Sequence, residues 1–119
     1  ALLPLYPARV RPIKGRVILV EGIFDMLNLH DKGLTNAMCC FGTRNIDIDK
    51  LKLLRMQGVS AVDILFDPDE AGQEAALHII ELCETAELLS KNIKLPVQLG
   101  DAGALNKQKV KDLKERLYG

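Results

Sequence analysis

Short apolar runs alternate with amphipathic stretches along this chain, and this alternation limits the fold more than any other feature. The runs that predict β-strands occupy residues 16–20, 35–41, 61–66 and 93–99. The segments that predict helices occupy residues 23–33, 48–57, 70–89 and 107–119. Strands that alternate with helices are joined by right-handed crossovers into a parallel sheet. We therefore predict an α/β fold with a four-stranded, mainly parallel sheet and helices on both faces.

The first 15 residues differ in composition from the rest of the chain. They contain three of its five prolines, which favours an extended segment. We predict that residues 1–15 are an extended lead-in or linker and that residues 16–119 form a single domain, as a length of 119 residues suggests. Because the chain begins with Ala rather than Met, we expect it to be a fragment of a larger protein.

The charges of the chain are balanced, with 16 Lys and Arg against 16 Asp and Glu. This balance argues against nucleic-acid binding through bulk positive charge, so any such contact must be local. We predict that a local contact uses Arg9, Arg11, Lys14 and Arg44, although the first three also suit a linker to another domain. The basic residues of the last predicted helix alternate with acids, so we expect a solvated face from Lys107, Lys109, Lys111, Lys114 and Arg116.

The cysteines Cys39, Cys40 and Cys83 are odd in number and lack the CxxC spacing of a zinc site. Buried free thiols are the simplest interpretation, and they suit a reducing cytosol. No apolar run approaches the roughly 20 residues of a membrane span, and no signal peptide is visible. We therefore expect a cytoplasmic protein without a membrane partner.

Acidic residues follow two of the predicted strands, with Glu21-Gly22 after the first and Asp67-Pro68-Asp69 after the third. Parallel sheets bind ligands beyond the carboxyl ends of their strands. If these strands are neighbours, about 4.8 Å apart, their carboxylates share one rim and raise one another's pKa unless a counter-charge is present. No Lys or Arg lies in or beside either motif. Oxygen ligands without His or Cys favour Mg²⁺ or Mn²⁺ over zinc.

Each of these acids also has a structural interpretation. Asp69 is suited to be the N-cap of the helix that begins near Glu70. Asp67 is acceptable as an ordinary turn residue, and Glu21 is acceptable as a solvent-exposed residue at a strand end. The coincidence of all three on one predicted rim favours a metal site.

The segments "VILVEGIFDMLNLHDKG", "FGT" and "ILFDPDEAGQEAA" resemble the motifs of the Toprim superfamily. The resemblance covers about residues 16–105 and implies a three-layer fold with helices on both faces of the sheet. Toprim proteins include bacterial-type DNA primases, phage primase-helicases, topoisomerases and small nucleases. The segments "EGIFD" and "DEAGQEAA" are most similar to the primase branch.

The resemblance implies that Glu21, Asp67 and Asp69 are the catalytic and metal-binding residues. It also implies further acids at Asp25 and Asp101, whereas Gly103 stands where relatives often have a second acid. A primase-like domain would use Mg²⁺ or Mn²⁺ to transfer nucleotides into RNA primers for DNA replication. DNA template and nucleotides would be bound through a larger protein, with a helicase as a partner or linked domain.

Three other functions compete with the primase interpretation. A Toprim nuclease or nucleic-acid processing protein would use the same acids to direct water at a phosphodiester. A non-catalytic module would keep the fold for binding, since the chain lacks the zinc-ribbon cysteines of primases. A phospho-acceptor receiver would need an acidic pair after the first strand and a Lys after a fifth strand, which this chain does not offer.

Overall fold

The computed structural model describes residue 7 and residues 11–40, 46–95 and 102–119. The strands are β1 (Arg16–Val20), β2 (Ala37–Cys39), β3 (Ala61–Ile64) and β4 (Leu89–Asn92). The helices are α1 (Ile23–Asp31), α2 (Ile48–Met56), α3 (Glu70–Thr85) and α4 (Lys107–Tyr118), with a short 3-10 helix at Ala102–Ala104. All paired strands are parallel, in the order β2-β1-β3-β4. The predicted α/β fold and the adjacency of the first and third strands are confirmed.

The alternating side chains of β1 divide the interior into two cores. Val17 and Leu19 pack in one buried cluster with residues of α2 and α3. Ile18 and Val20 point to the opposite face and pack with residues of α1, the 3-10 helix and α4. Because successive residues of a strand face opposite sides of a sheet, this fully apolar strand requires helices on both faces. The predicted three-layer arrangement is confirmed.

The fourth strand differs from the prediction, which placed it at residues 93–99 after a helix that ended near residue 89. The helix ends at Thr85, and β4 begins four residues later at Leu89. Glu87 adopts a left-handed φ of 62°, and the N–H of Leu88 donates to the carbonyl of Cys83. This is a Schellman-type helix end, in which glycine usually occupies the left-handed position. Because Glu87 occupies it here, the sequence gave no local signal that the helix ends at this point. Residues 96–99 of the predicted strand lie outside the described part of the chain.

The second strand is shorter than predicted, because β2 covers only the central three of the seven residues assigned to it. The N-terminus of α2 is as expected, since the side chain of Asp47 accepts a hydrogen bond from the N–H of Lys50 at 2.9 Å. Gly33 and Gly58 follow α1 and α2 with φ of 102° and 96°. Only glycine adopts such values at low cost, so these two glycines suit the chain reversals that end the helices.

The three cysteines are buried and free, as expected from the sequence. Burial raises the pKa of the Cys83 thiol to about 11, which keeps it protonated and unreactive at neutral pH. Within the residues that the structure describes, no helix is long and apolar enough to cross a membrane.

A buried polar cluster joins β1, β3 and α4 at the amino end of the sheet. The guanidinium of Arg16 donates to both carboxylate oxygens of Asp63, at 2.6 and 3.0 Å, and Asp63 is fully buried in β3. The hydroxyl of Tyr118 donates to Asp63 at 2.9 Å, and the side-chain amide of Asn36 donates to that hydroxyl at 2.8 Å. The hydrogen bond to Asp63 raises the pKa of Arg16, and burial raises the pKa of Tyr118. This cluster therefore attaches the last helix to the two central strands.

Arg16→Met should strongly destabilise the fold, because it leaves the buried carboxylate of Asp63 without its charged partner. We expect the free energy of unfolding, measured by urea denaturation at pH 7, to fall by about 3 kcal/mol. The matched control is Arg55→Met, which breaks a 2.8 Å ion pair with Glu87 between side chains that are 54% and 71% exposed. This control should cost less than about 1 kcal/mol. Equal losses in the two variants would contradict a structural role for the buried pair.

Candidate functional site

The carboxyl ends of β1 and β3 bring Glu21 and Asp67 together. Leu19 pairs with Ile64 in the parallel register, and the N–H of Leu65 continues the ladder by donating to the carbonyl of Leu19 at 2.9 Å. The next donor along this edge, the N–H of Asp67, donates to the side-chain Oε1 of Glu21 at 3.1 Å. The side chain of Glu21 therefore lies against the turn that follows β3, as the sequence predicts for a shared rim.

Asp69 begins α3 and caps it. Its Oδ1 accepts a hydrogen bond from the N–H of Gly72 at 2.7 Å, so the N-cap interpretation of this residue is confirmed. Capping uses one carboxylate oxygen, and a carboxylate has two. The cap and a metal contact therefore do not exclude each other, and the cap fixes the direction of the side chain.

Gly72 is required by the tight turn rather than by an unusual backbone angle. A Cβ at this position would lie 2.3 Å from the carbonyl oxygen of Asp67 and 3.1 Å from Oδ1 of Asp69. Gly22 is different, since a Cβ there would meet only Oδ2 of Asp25, at an ordinary contact distance of 3.5 Å. Within the described residues, no backbone therefore approaches Gly22 closely enough to require a glycine.

The side chains of Gln73 and Asn92 support the turn, and the sequence interpretation gave them no role. Nε2 of Gln73 donates to the carbonyl of Asp67 at 3.1 Å. Nδ2 of Asn92, at the end of β4, donates to Oε1 of Gln73 at 3.1 Å. The contact between Asn92 and Gln73 depends on the position of β4, so only a correct assignment of that strand would have pointed to it.

Asp25 lies on the first turn of α1 and holds the segment that precedes α4. Its Oδ1 accepts a hydrogen bond from the N–H of Gly103 at 2.9 Å. Three residues along α1, the amide of Asn28 donates to the carbonyls of Ala102 and Leu105. Gly103, which stands where relatives often carry an acid, thus donates its backbone N–H to Asp25 in this chain. Asp101 itself lies outside the described residues.

The surroundings of Glu21 at this rim disfavour its charged form. Burial is the largest cause that raises the pKa of Glu21, and the carboxylates of Asp67, Asp69 and Asp25 raise it further. The hydrogen bond from the N–H of Asp67 partly opposes these effects. Three neighbouring carboxylates thus disfavour the charged form of Glu21, and a cation bound at this rim would offset their effect.

The donor set of this rim fits a hard divalent cation. The side chains are carboxylates, which suit Mg²⁺ or Mn²⁺ better than zinc. Among the residues that the structure describes, no three His, Cys, Asp or Glu side chains converge closely enough to form a ready-made metal cluster. Mg²⁺ commonly uses one or two carboxylates and completes its shell with water and phosphate oxygens, so an open arrangement is compatible with it.

Two of the predicted nucleic-acid contacts, Arg11 and Lys14, lie in the described part of the chain, and neither lies on this rim. Arg11 and Lys14 precede β1 and so lie near the amino end of the strand, whereas Glu21 follows its carboxyl end. Nζ of Lys14 donates to the carbonyl of Tyr118 at 2.5 Å. Arg9 and Arg44 lie outside the described residues. A contact through Arg11 and Lys14 stays a prediction, separate from the acidic rim.

The sequence profile of the Toprim-like family matches residues 18–113, which include the whole rim. The chain belongs to the Toprim-like family. This Toprim-like chain is 42% identical over 81 residues to the DNA primase of Chlamydia pneumoniae, and the match covers 68% of the chain and 14% of that primase. It therefore spans about one seventh of that relative, and the similarity confirms the predicted primase branch.

Solved structures share the fold of this Toprim-like chain. The primase of Aquifex aeolicus, solved as its zinc-binding and RNA polymerase domains, has a TM-score of 0.74 and 32% identity. The match covers 88% of the chain and 25% of that structure. A small Toprim domain protein of Bacillus stearothermophilus has a TM-score of 0.61 and 20% identity, with coverage of 92% and 86%. The second likeness shows the fold alone.

Gly72→Ala should disturb the turn that presents Asp67 and Asp69, because the added methyl group overlaps backbone atoms that cannot move freely. We expect the free energy of unfolding, measured by urea denaturation, to fall by about 1–3 kcal/mol despite the better helix propensity of Ala. Gly22→Ala is the matched control in the same site and should cost less than about 1 kcal/mol. A neutral or stabilising Gly72→Ala would show that the turn does not need this glycine.

Glu21→Gln should change how stability depends on pH in metal-free buffer. The folded-state pKa of Glu21 lies above its ordinary value of 4.5, so its stabilising contribution is present below that value. The contribution is lost as the pH rises through the folded-state pKa. Gln keeps a carbonyl acceptor for the N–H of Asp67 but does not titrate, so the variant should gain stability relative to wild type as the pH rises.

This pH dependence is measured by urea denaturation at pH values of about 4 and 7. The control is Glu84→Gln, which removes a carboxylate from the exposed face of α3, away from the rim. A difference between Glu21→Gln and wild type that is constant with pH, or that favours wild type at the higher pH, would contradict an uncompensated charge at Glu21.

Proposed function

We propose that this Toprim-like domain is the catalytic subdomain of a DNA primase, in which it transfers nucleotides to a growing RNA primer. The observation that carries the proposal is the contact between Oε1 of Glu21 and the N–H of Asp67. It places a carboxylate with a raised pKa beside two further acids at the carboxyl edge of a parallel sheet, where such folds bind ligands. The identity of 42% to a primase supports this assignment over other Toprim functions.

Glu21, Asp67 and Asp69 would hold Mg²⁺ or Mn²⁺, with Asp25 and Asp101 as additional acids. When bound, the cation would supply positive charge to the phosphate that is transferred. The hydrogen bond from the N–H of Gly72 directs the side chain of Asp69, and Gln73 holds the turn at Asp67. Gly72 and Gln73 would therefore orient the two acids without taking part in the reaction. Glu21, with its raised pKa, is suited to accept the proton of the attacking 3′-hydroxyl.

The chain would act as one part of a larger protein. It spans 14% of the primase from Chlamydia pneumoniae, so we propose that other domains bind the DNA template and help to position nucleotides. A helicase, as a partner or a linked domain, would deliver the single-stranded template. We propose a cytoplasmic location, where the three free thiols stay reduced.

Primer synthesis by the full-length protein tests this function. With a single-stranded DNA template, ribonucleotides and Mg²⁺, Glu21→Gln and Asp67→Asn should each reduce the rate of RNA synthesis by roughly 100-fold or more, because each removes a charge from the reacting centre. Glu84→Gln, which changes an exposed acid on α3, should retain wild-type activity. Chelation of the metal should abolish synthesis by every variant.

Two outcomes would contradict the proposal. Full activity of both rim variants would exclude the acids as catalytic residues. If the wild-type protein makes no primers but hydrolyses phosphodiesters, and both rim variants lose that hydrolysis, the site belongs to a Toprim nuclease.

A further inference from the structure

A second charged feature lies on the side of α1 and α4, apart from the acidic rim. It is a concavity of about 490 Å³, which we name the lysine groove, and it is lined by Lys32, Gly33, Lys107, Gln108, Lys111 and Lys114. Among the lining residues that the structure describes, four of the six are lysines and none is acidic. In a chain whose formal net charge is zero, such a concentration of one sign of charge requires an explanation.

Helical spacing produces this concentration of charge. Lys107, Lys111 and Lys114 recur at i, i+4 and i+7 along α4, so they lie within roughly 60° of one another around the helix. Along the helix axis they are spaced about 6 and 4.5 Å apart. Asp112 lies roughly 100° or more around the helix from each of these lysines, whereas Glu115 lies roughly 40° from Lys111. The lysines therefore form a stripe that Glu115 borders on one side, and the described residues of α4 that line the groove carry an excess of positive charge.

Favourable interactions with the carboxyl end of α1 account for only two of the groove lysines, Lys32 and Lys114. Nζ of Lys114 donates to the carbonyl of Gly33 at 3.4 Å, and Lys32 donates to the side chain of Asn28. These contacts suit cations at the carboxyl end of α1. Lys107 and Lys111 are exposed, and within the described part of the chain neither takes part in a salt bridge. These two lysines, which lie about 6 Å apart along the helix axis, therefore have no salt-bridge partner among the described residues.

The groove begins close to the candidate site along the chain. Gly103 donates its N–H to Asp25 on the first turn of α1, and Lys107 follows four residues later. Four residues span at most roughly 14 Å, so the first lysine of the groove lies within that distance of a residue that contacts Asp25. The groove then continues along α4, away from this contact.

We propose that the lysine groove binds the sugar-phosphate backbone of a single strand of nucleic acid, without regard to base sequence. Lysines at a regular spacing match an anionic polymer with regularly spaced charges. The lining residues within the described ranges include no aromatic side chain for base stacking and no Arg for bidentate base contacts, which favours binding that does not read sequence. The choice of nucleic acid over an acidic peptide rests on the proposed function of the domain.

The test compares two double variants of the full-length protein. Lys107→Gln with Lys111→Gln removes two charges from the groove. Lys109→Gln with Arg116→Gln removes two charges from exposed positions roughly 140–200° around the same helix from Lys107 and Lys111, and serves as the matched control. Binding of a fluorescent oligothymidine strand is measured by anisotropy from 50 to 200 mM KCl. The buffer contains EDTA and no nucleotides, so the result does not depend on catalysis.

The groove variant should lower the slope of log affinity against log salt by about 1.4, since each lost phosphate contact in a single strand contributes about 0.7. Its loss of affinity should therefore be about sevenfold greater at 50 mM than at 200 mM KCl. The control should keep the wild-type slope. In the wild-type protein, the oligonucleotide should protect Lys107 and Lys111 from acetylation more than Lys109, as measured by mass spectrometry.

Three results would overturn the proposal. An unchanged slope in the groove variant would exclude phosphate contacts there. Equal changes in both double variants would show that only the total charge matters. Loss of binding to poly-glutamate without loss of binding to DNA would assign the groove to an acidic protein partner. Circular dichroism melts establish that both variants fold, and primer synthesis by the same proteins reports separately on the proposed catalytic function.

Discussion

The parallel pairing of β1 with β3 is the constraint on which the rest of the structure depends. Side chains secure this pairing toward both ends, through the ion pair of Arg16 with Asp63 and through the hydrogen bond from the N–H of Asp67 to Glu21. A slip of one residue would exchange the two core faces of β1 and separate the acids. The register therefore determines both how the helices pack and which carboxylates meet.

The acids toward the two ends of this strand pair have opposite electrostatic environments. Asp63 is fully buried, but Arg16 and Tyr118 donate hydrogen bonds to it, so its charge is compensated within the fold. Burial raises the pKa of Glu21, and the nearby carboxylates of Asp67, Asp69 and Asp25 raise it further. A compensated buried acid contributes to specificity of the fold, whereas an uncompensated acid at a strand end keeps its affinity for a cation from outside. One sheet thus carries a compensated acid in its interior and an acid without a described cationic partner at the carboxyl end of its first strand.

The sequence was sufficient to predict those features that depend on local patterns. The alternation of strands and helices and the Asp69 cap follow from nearby residues. The start of β4 did not, because Glu87 takes a conformation that usually requires glycine. The cluster around Asp63 was also missed, since its partners Arg16 and Tyr118 are 47 and 55 residues away in sequence. The lysine groove needed the position of α1 beside α4, which helical spacing alone does not give.

Lys14 and Tyr118 join the segment that precedes β1 to the end of α4. Nζ of Lys14 lies 2.5 Å from the carbonyl oxygen of Tyr118, so the two backbones are one lysine side chain apart. The contact closes the chain between β1 and α4 into a loop, so it acts together with the cluster around Asp63 to hold α4 against the sheet. Both residues lie toward the amino end of β1, so this closure is made at the opposite end of the strand from Glu21.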